Sequence, residues 1–253
     1  VKKRAALILV AASFFTGCAT APTVDTKAGA SAHMQLGISY LRQNNIPMAM
    51  RELSEASQLD PDNPEVDLGF GFAYQARGEH NEAEKHFRNA IRKKRNYPEA
   101  HNGLGSSLSF QGKSAEALKE FEIAAHDVYY NTPDIAWYNM GQEYRRMRDF
   151  RKADEMYAKA LAANDRNFDA HLMRVATMIE DKRVDDAASW LELAISRNPS
   201  FIQGQIELGK IYMMQGRKDA ARKAFTDASA ASTDIAVRRQ MADFLNKLES
   251  GKR

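Results

Sequence analysis

Cys18 is the only thiol in this 253-residue chain, and His33, His80, His86, His101, His126 and His171 are its only imidazoles. A thiol can serve as a nucleophile, a metal ligand or a site of acylation. A single cysteine closes no internal disulfide and builds no cysteine-rich zinc site. A catalytic thiol also needs a base and oxyanion donors arranged around it in a fold, and Cys18 precedes everything that reads as folded. His33, His101 and His171 recur at one position of the repeat described below, with Trp137 taking that position once. That pattern reads as a packing or surface column rather than a ligand set, and the six-residue step from His80 to His86 suits no single helical face. The chain carries no glycine-rich phosphate loop and no Gly-x-Ser-x-Gly elbow. Its carboxylates recur at helical spacing beside Lys and Arg, as solvated faces do. The sequence therefore predicts no enzyme, no metal, no cofactor and no small-molecule substrate. Binding remains.

Charge narrows the class of partner. The 36 Lys and Arg residues exceed the 33 Asp and Glu by three, and Lys2, Lys3 and Arg4 supply that whole excess. The rest of the chain is neutral, so no nucleic-acid footprint is expected. The densest basic cluster, Arg92–Arg95, falls at the end of a predicted helix, where cations complement the helix dipole.

The flanks of Cys18 give it a use. Lys2, Lys3 and Arg4 form a positive head, and Ala5–Phe15 is an apolar run too short for the roughly 20 residues that span a bilayer. A basic head, a short apolar core and small residues after it read as a secretory signal. The four residues Phe15-Thr16-Gly17-Cys18 resemble the lipobox of bacterial lipoproteins, with Phe15 in place of the usual Leu. This resemblance implies a signal peptide over residues 1–17 and an acylated Cys18 as the first mature residue. With Ala19 next to it, the resemblance also implies an outer-membrane anchor facing the periplasm. The bland alternative is a secreted protein with an incidental cysteine. The small, polar segment 18–29 is expected to be a flexible tether.

A 34-residue period organises the rest. Gly37, Gly71, Gly105, Gly141 and Gly209 mark one position, with Val175 taking it in the fifth of the six units. Ala49, Ala83, Ala117, Ala153, Ala187 and Ala221 keep step with them, and so do Leu53, Phe87, Phe121, Tyr157, Leu191 and Phe225. Glycine inside a helix costs about 1 kcal/mol relative to alanine, so packing must return that cost. Small residues on facing helices let the axes approach to about 8–10 Å. Gly78, Gly112, Gly216 and Asn44 share another position, suited to a left-handed helix terminus. Six such units over residues 30–233 resemble tetratricopeptide repeats. The resemblance implies an all-α, right-handed superhelical solenoid of six helix pairs. Residues 234–253, with Ile235, Met241, Phe244, Leu245 and Leu248 on one face, are expected to form a C-terminal capping helix and tail.

In this repeat family the first helix of each unit lines a concave groove. Its fifth position usually points inward, which here selects Met34, Leu68, Asn102, Tyr138, Leu172 and Ile206, with Phe72, Phe110, Ile179 and Met213 nearby. An apolar lining of this kind suits a peptide segment with apolar anchors, although the same residues could simply pack between helices. One step of the period has two extra residues, in the segment 125–141. Tyr129, Tyr130 and Trp137 there are candidates for a second contact or for plugs in the irregular turn. The run Tyr130, Pro133, Ala136, Asn139 and Gly141, with the lipobox and six repeats, resembles the pilotin family of type IV pilus biogenesis, the PilF/PilW/Tgl group. That resemblance implies a lipid-anchored factor that brings secretin subunits to the outer membrane and promotes their multimerisation. A general lipoprotein scaffold for cell-wall enzymes or another outer-membrane assembly is the alternative.

Overall fold

The computed structural model describes residues 26–250. The expected signal segment, Cys18 and most of the expected tether lie outside them. Among the described residues there are thirteen α-helices and no strand. Six helix pairs follow one another: α1 (Thr26–Arg42) with α2 (Ile46–Leu59), α3 (Pro64–Ala76) with α4 (His80–Lys93), and α5 (Pro98–Phe110) with α6 (Ser114–His126). Then come α7 (Pro133–Arg146) with α8 (Phe150–Ala163), α9 (Phe168–Glu180) with α10 (Val184–Arg197), and α11 (Ile202–Met214) with α12 (Lys218–Ala231). A single helix, α13 (Ile235–Ser250), closes the stack. No described helix is long and apolar enough to cross a membrane.

Each unit begins and turns for local reasons. Prolines open α3, α5 and α7, where their missing N–H is not needed. Asn45, Asp149 and Asn167 cap α2, α8 and α9 through their side chains. The turn between paired helices carries a positive φ in every unit: 57° at Asn44, 76° at Gly78, 77° at Gly112, 61° at Arg148, 63° at Lys182 and 73° at Gly216. Arg148 and Lys182 adopt this conformation with a Cβ, which costs roughly 1–2 kcal/mol. Lys182→Gly is therefore expected to stabilise the chain by about 1 kcal/mol, read as a higher urea midpoint at unchanged helicity.

The glycine column works through the bulky column of the second helix. A methyl group added at Gly37, Gly71, Gly105, Gly141 or Gly209 would lie 2.4–2.9 Å from Leu53, Phe87, Phe121, Tyr157 or Phe225 respectively. All five of those partners are buried. Repeat five is the exception. Val175 and Leu191 are both buried there, and α9 and α10 are the most loosely apposed of the six pairs. An isopropyl group stands there where the other five units have glycine.

Three histidines turn out to be ties within a unit. His33 Nδ1 meets Glu52 at 2.8 Å, His86 Nδ1 meets Asp67 at 2.9 Å, and His101 Nδ1 meets Glu120 at 2.7 Å. Each bond joins position four of a first helix to position twenty-three, on the second helix. Burial alone would raise the Asp67 carboxyl, but His86 and Lys93 outweigh it and hold it below its ordinary value. Lys93 reaches Pro61 O and Asp67, both at 2.5 Å, and Lys94 lies over the Tyr97 ring at 4.1 Å. Two members of the basic cluster are thus absorbed in local structure.

Two expectations change at the ends. α1 starts at Thr26, so residues 26–29 of the expected tether are helical. Ala28 and Ala30 favour a helix there, and Ala30 is fully buried. The capping helix buries Met241 and Leu248, and Phe244 stacks on Phe225 at 4.8 Å. Ile235, expected on its apolar face, is 81% exposed at the helix start, and Val237 packs against the core instead.

Candidate functional site

First helices approach their neighbours, α1 to α3, α3 to α5, α5 to α7 and α7 to α9, whereas second helices do not approach one another comparably. The first helices therefore line the inner side, and the groove has three different stretches.

The first stretch is apolar. Ile38 and Leu41 of α1, Leu68, Gly69 and Phe72 of α3, and Tyr97 before α5 enclose an open cleft of about 390 Å³, with Arg42 and Glu65 at its rim. Phe72 is 38% exposed and meets the buried Phe87 edge-on at 5.2 Å. Tyr97 is almost fully buried, and burial, aided by Glu65 and Glu99, pushes its phenol well above the ordinary value. Leu68 and Phe72 were expected to face the groove. Ile38, Leu41 and Tyr97 were not, yet Ile38 occupies the same unit position as Phe72, and Leu41 the same position as Ile179.

The middle stretch is polar. Asn139 donates from Nδ2 to Asn102 Oδ1 at 3.0 Å. Gln75 Nε2 donates to Gly103 O and to Ser107 Oγ, both at 2.9 Å. Ser109 Oγ donates at 2.6 Å to Glu143 Oε2, and Arg146 Nη1 reaches the same carboxylate oxygen at 2.8 Å. Arg146 also donates to Ser109 O and Oγ, at 3.1 and 2.9 Å. Glu143 is completely buried, and its Oε1 has no partner. Arg145 pairs with Glu180 alongside. This network ties α5 to α7, and the Asn102 amide nitrogen and the half-exposed Arg146 guanidinium keep N–H groups that it does not use, donors of the kind an extended peptide backbone can meet.

The third stretch corrects the expectation of a continuous apolar lining. Ile206 is 2% exposed and belongs to the C-terminal core. Leu172, Ile179 and Met213 are partly buried and pack against that same core. Tyr138 is half-buried and tilts onto Tyr157 at 5.7 Å, and burial raises its phenol. Phe110 stays exposed but stacks on His80 at 4.4 Å, apart from the residues that enclose the cleft. Met34 is buried.

The irregular segment divides in the same way. Tyr130 is buried against Ala124, Ala125 and Ala136, and Trp137 packs there too. Trp137 also meets His126 edge-on at 5.0 Å and Lys159 at 4.8 Å. Those two aromatics plug the space left by the extra residues. Val128 and Tyr129 remain almost fully exposed. Among the described residues, no group of three or more His, Cys, Asp or Glu side chains is placed to hold a metal ion.

Comparison with known proteins agrees with this architecture. Family models described as "Tetratricopeptide repeat" match residues 40–106 and 138–201, together more than half of the chain. The chain is 26% identical over 187 residues to the type IV pilus assembly protein PilF of Pseudomonas aeruginosa, a match covering 71% of this chain and 74% of PilF. The solved structure of that PilF superposes with a TM-score of 0.68 at 18% identity, over 87% of this chain and 99% of the other. The structure of PilW, described as a widely conserved type IV pilus biogenesis factor, gives a TM-score of 0.67 at 23% identity, over 84% and 98%.

Proposed function

This chain belongs to the tetratricopeptide-repeat family, and on that premise we propose that it is a non-enzymatic assembly factor of type IV pilus biogenesis. It binds a segment of a secretin subunit in its groove and promotes the multimerisation of that subunit at the outer membrane. Similarity to PilF and PilW supports the pilus role. The observation that carries the binding mode is the cleft of Ile38, Leu41, Leu68, Phe72 and Tyr97, which opens beside the polar stretch headed by Asn102 and Asn139. An apolar side chain of the partner enters the cleft while its backbone meets the amides. Cys18, outside the described residues, is the proposed acylation site. Each buried methylene of an acyl chain contributes about 0.8 kcal/mol, so more than one chain anchors stably. An anchored groove raises the local concentration of bound subunits, and tethers of this kind give effective concentrations near millimolar.

The test is complementation of a deletion strain, scored as heat-resistant secretin multimer in the outer-membrane fraction. Phe72→Asp together with Leu68→Asp is expected to weaken partner binding at least tenfold and to abolish multimer while the protein stays helical. Cys18→Ala is expected to keep binding and lose outer-membrane placement. Normal multimer in the deletion strain would overturn the pilus role, and unchanged affinity of the double variant would overturn the groove.

A further inference from the structure

Repeat five lacks the tie that closes repeats one to three. There, position four and position twenty-three supply an imidazole and a carboxylate to each other. In repeat five these positions hold His171 and Trp190, whose rings lie 5.5 Å apart at 28° without a hydrogen bond between them. His171 Nε2 donates to Asp165 O at 3.0 Å, so Nδ1 is left as an acceptor, and it has no partner. Trp190 Nε1, a donor, has none either. His171 is more than nine-tenths buried, and burial favours its neutral form. Arg174 covers the outer face of Trp190, its guanidinium carbon 4.0 Å from the ring centre.

This unit opens a cleft of about 450 Å³ between the α8–α9 and α10–α11 loops. Phe168 and Phe201, stacked at 4.7 Å, form one wall, and Trp190 and Leu193 form the other. Arg166 and Arg197 stand at the mouth, and neither has an ion-pair partner among the described residues. Asp165 is the one carboxylate that lines it. The cleft lies in the unit whose two helices are the most loosely apposed. It lies three units along the solenoid from Leu68 and Phe72.

We propose that this cleft is a second binding site, for a short acidic peptide segment carrying one large apolar side chain. The apolar side chain sits between Phe168, Phe201 and Leu193. The acidic groups meet Arg166 and Arg197, whose planar guanidinium groups suit carboxylates. A small outward turn of the His171 or Trp190 ring offers one acceptor and one donor, the complement of a backbone amide. The proposal is independent of the groove reading, because it uses other residues and another stretch of the molecule.

The full chain is titrated with the capped peptide Gly-Asp-Phe-Glu-Gly and, as control, with Gly-Asn-Phe-Gln-Gly. The readout is the indole N–H signal of Trp190 by NMR, assigned through Trp137→Phe, since the chain has two tryptophans. The acidic peptide is expected to shift that signal saturably and to bind at least tenfold more tightly than the amide control. Arg166→Glu with Arg197→Glu is expected to remove at least tenfold of that affinity at unchanged helicity, and Phe72→Asp is expected to leave it intact. Absence of saturation, equal affinity of the two peptides, or indifference to the arginine reversal would overturn the proposal. Loss of binding in Phe72→Asp would place the peptide in the groove and overturn it equally.

Discussion

Phe87→Ala is expected to destabilise the chain by about 4 kcal/mol, the range in which truncation of a buried phenylalanine falls. The ring is fully buried, and a methyl group placed on either Gly71 or Gly103 would come within 2.5 Å of it. It is therefore the contact surface of α3 and of α5 at once. Alanine leaves a void that neither glycine can fill, and backbone on both sides limits collapse. Phe72 also loses its edge-on partner, so one wall of the apolar cleft loses its support. Urea denaturation followed by helix signal should show an earlier transition, and partner binding should weaken even where the chain remains folded. Phe87→Leu keeps most of the volume and is expected to cost less than half as much.

Arg146→Met is expected to cost about 3 kcal/mol, because removing one member of a buried pair leaves an uncompensated charge. Glu143 is completely buried, whereas the Arg146 side chain is half exposed, which places the effect at the lower end of such cases. The same variant removes the two hydrogen bonds that Ser109 O and Oγ accept from Arg146 Nη1. Glu143→Leu combined with Arg146→Met removes both charges and should recover most of the loss. A double-mutant cycle measured by denaturation isolates the coupling. A coupling near zero would mean that the carboxylate is satisfied without the guanidinium.

The units were legible in the sequence because packing between helices is periodic. Glycine beside a ring, alanine at the crossing and a left-handed turn recur at fixed steps, and each step repeats the same physical demand. The positive φ at Arg148 and Lys182 was hidden, since the demand there is met by residues that advertise nothing. The groove was half legible. Leu68 and Phe72 follow from the fifth and ninth positions, but Ile206 follows the same rule and is buried. The rule gives the direction of a side chain and not what the next helix places over it. Asn102 and Asn139 meet through a contact 37 residues long-range in sequence, which a column read one unit at a time does not contain. The run from Tyr130 to Gly141 proved largely structural: Tyr130 plugs a gap, Pro133 opens α7, Ala136 is buried and Gly141 admits Tyr157.

Val175 marks a change in the geometry of the stack as well as in its packing. Repeats one to four each press a bulky side chain of the second helix, Leu53 and then the rings of Phe87, Phe121 and Tyr157, against a first-helix glycine, and repeat five interrupts that seating. Stacked repeats bear on their neighbours alone, so a displacement at one step is carried whole to everything past it. The apolar cleft lies before that step and α11–α13 lie beyond it. The looser pairing of α9 with α10 therefore helps set where the two ends of the solenoid stand relative to one another, while each end keeps its own packing.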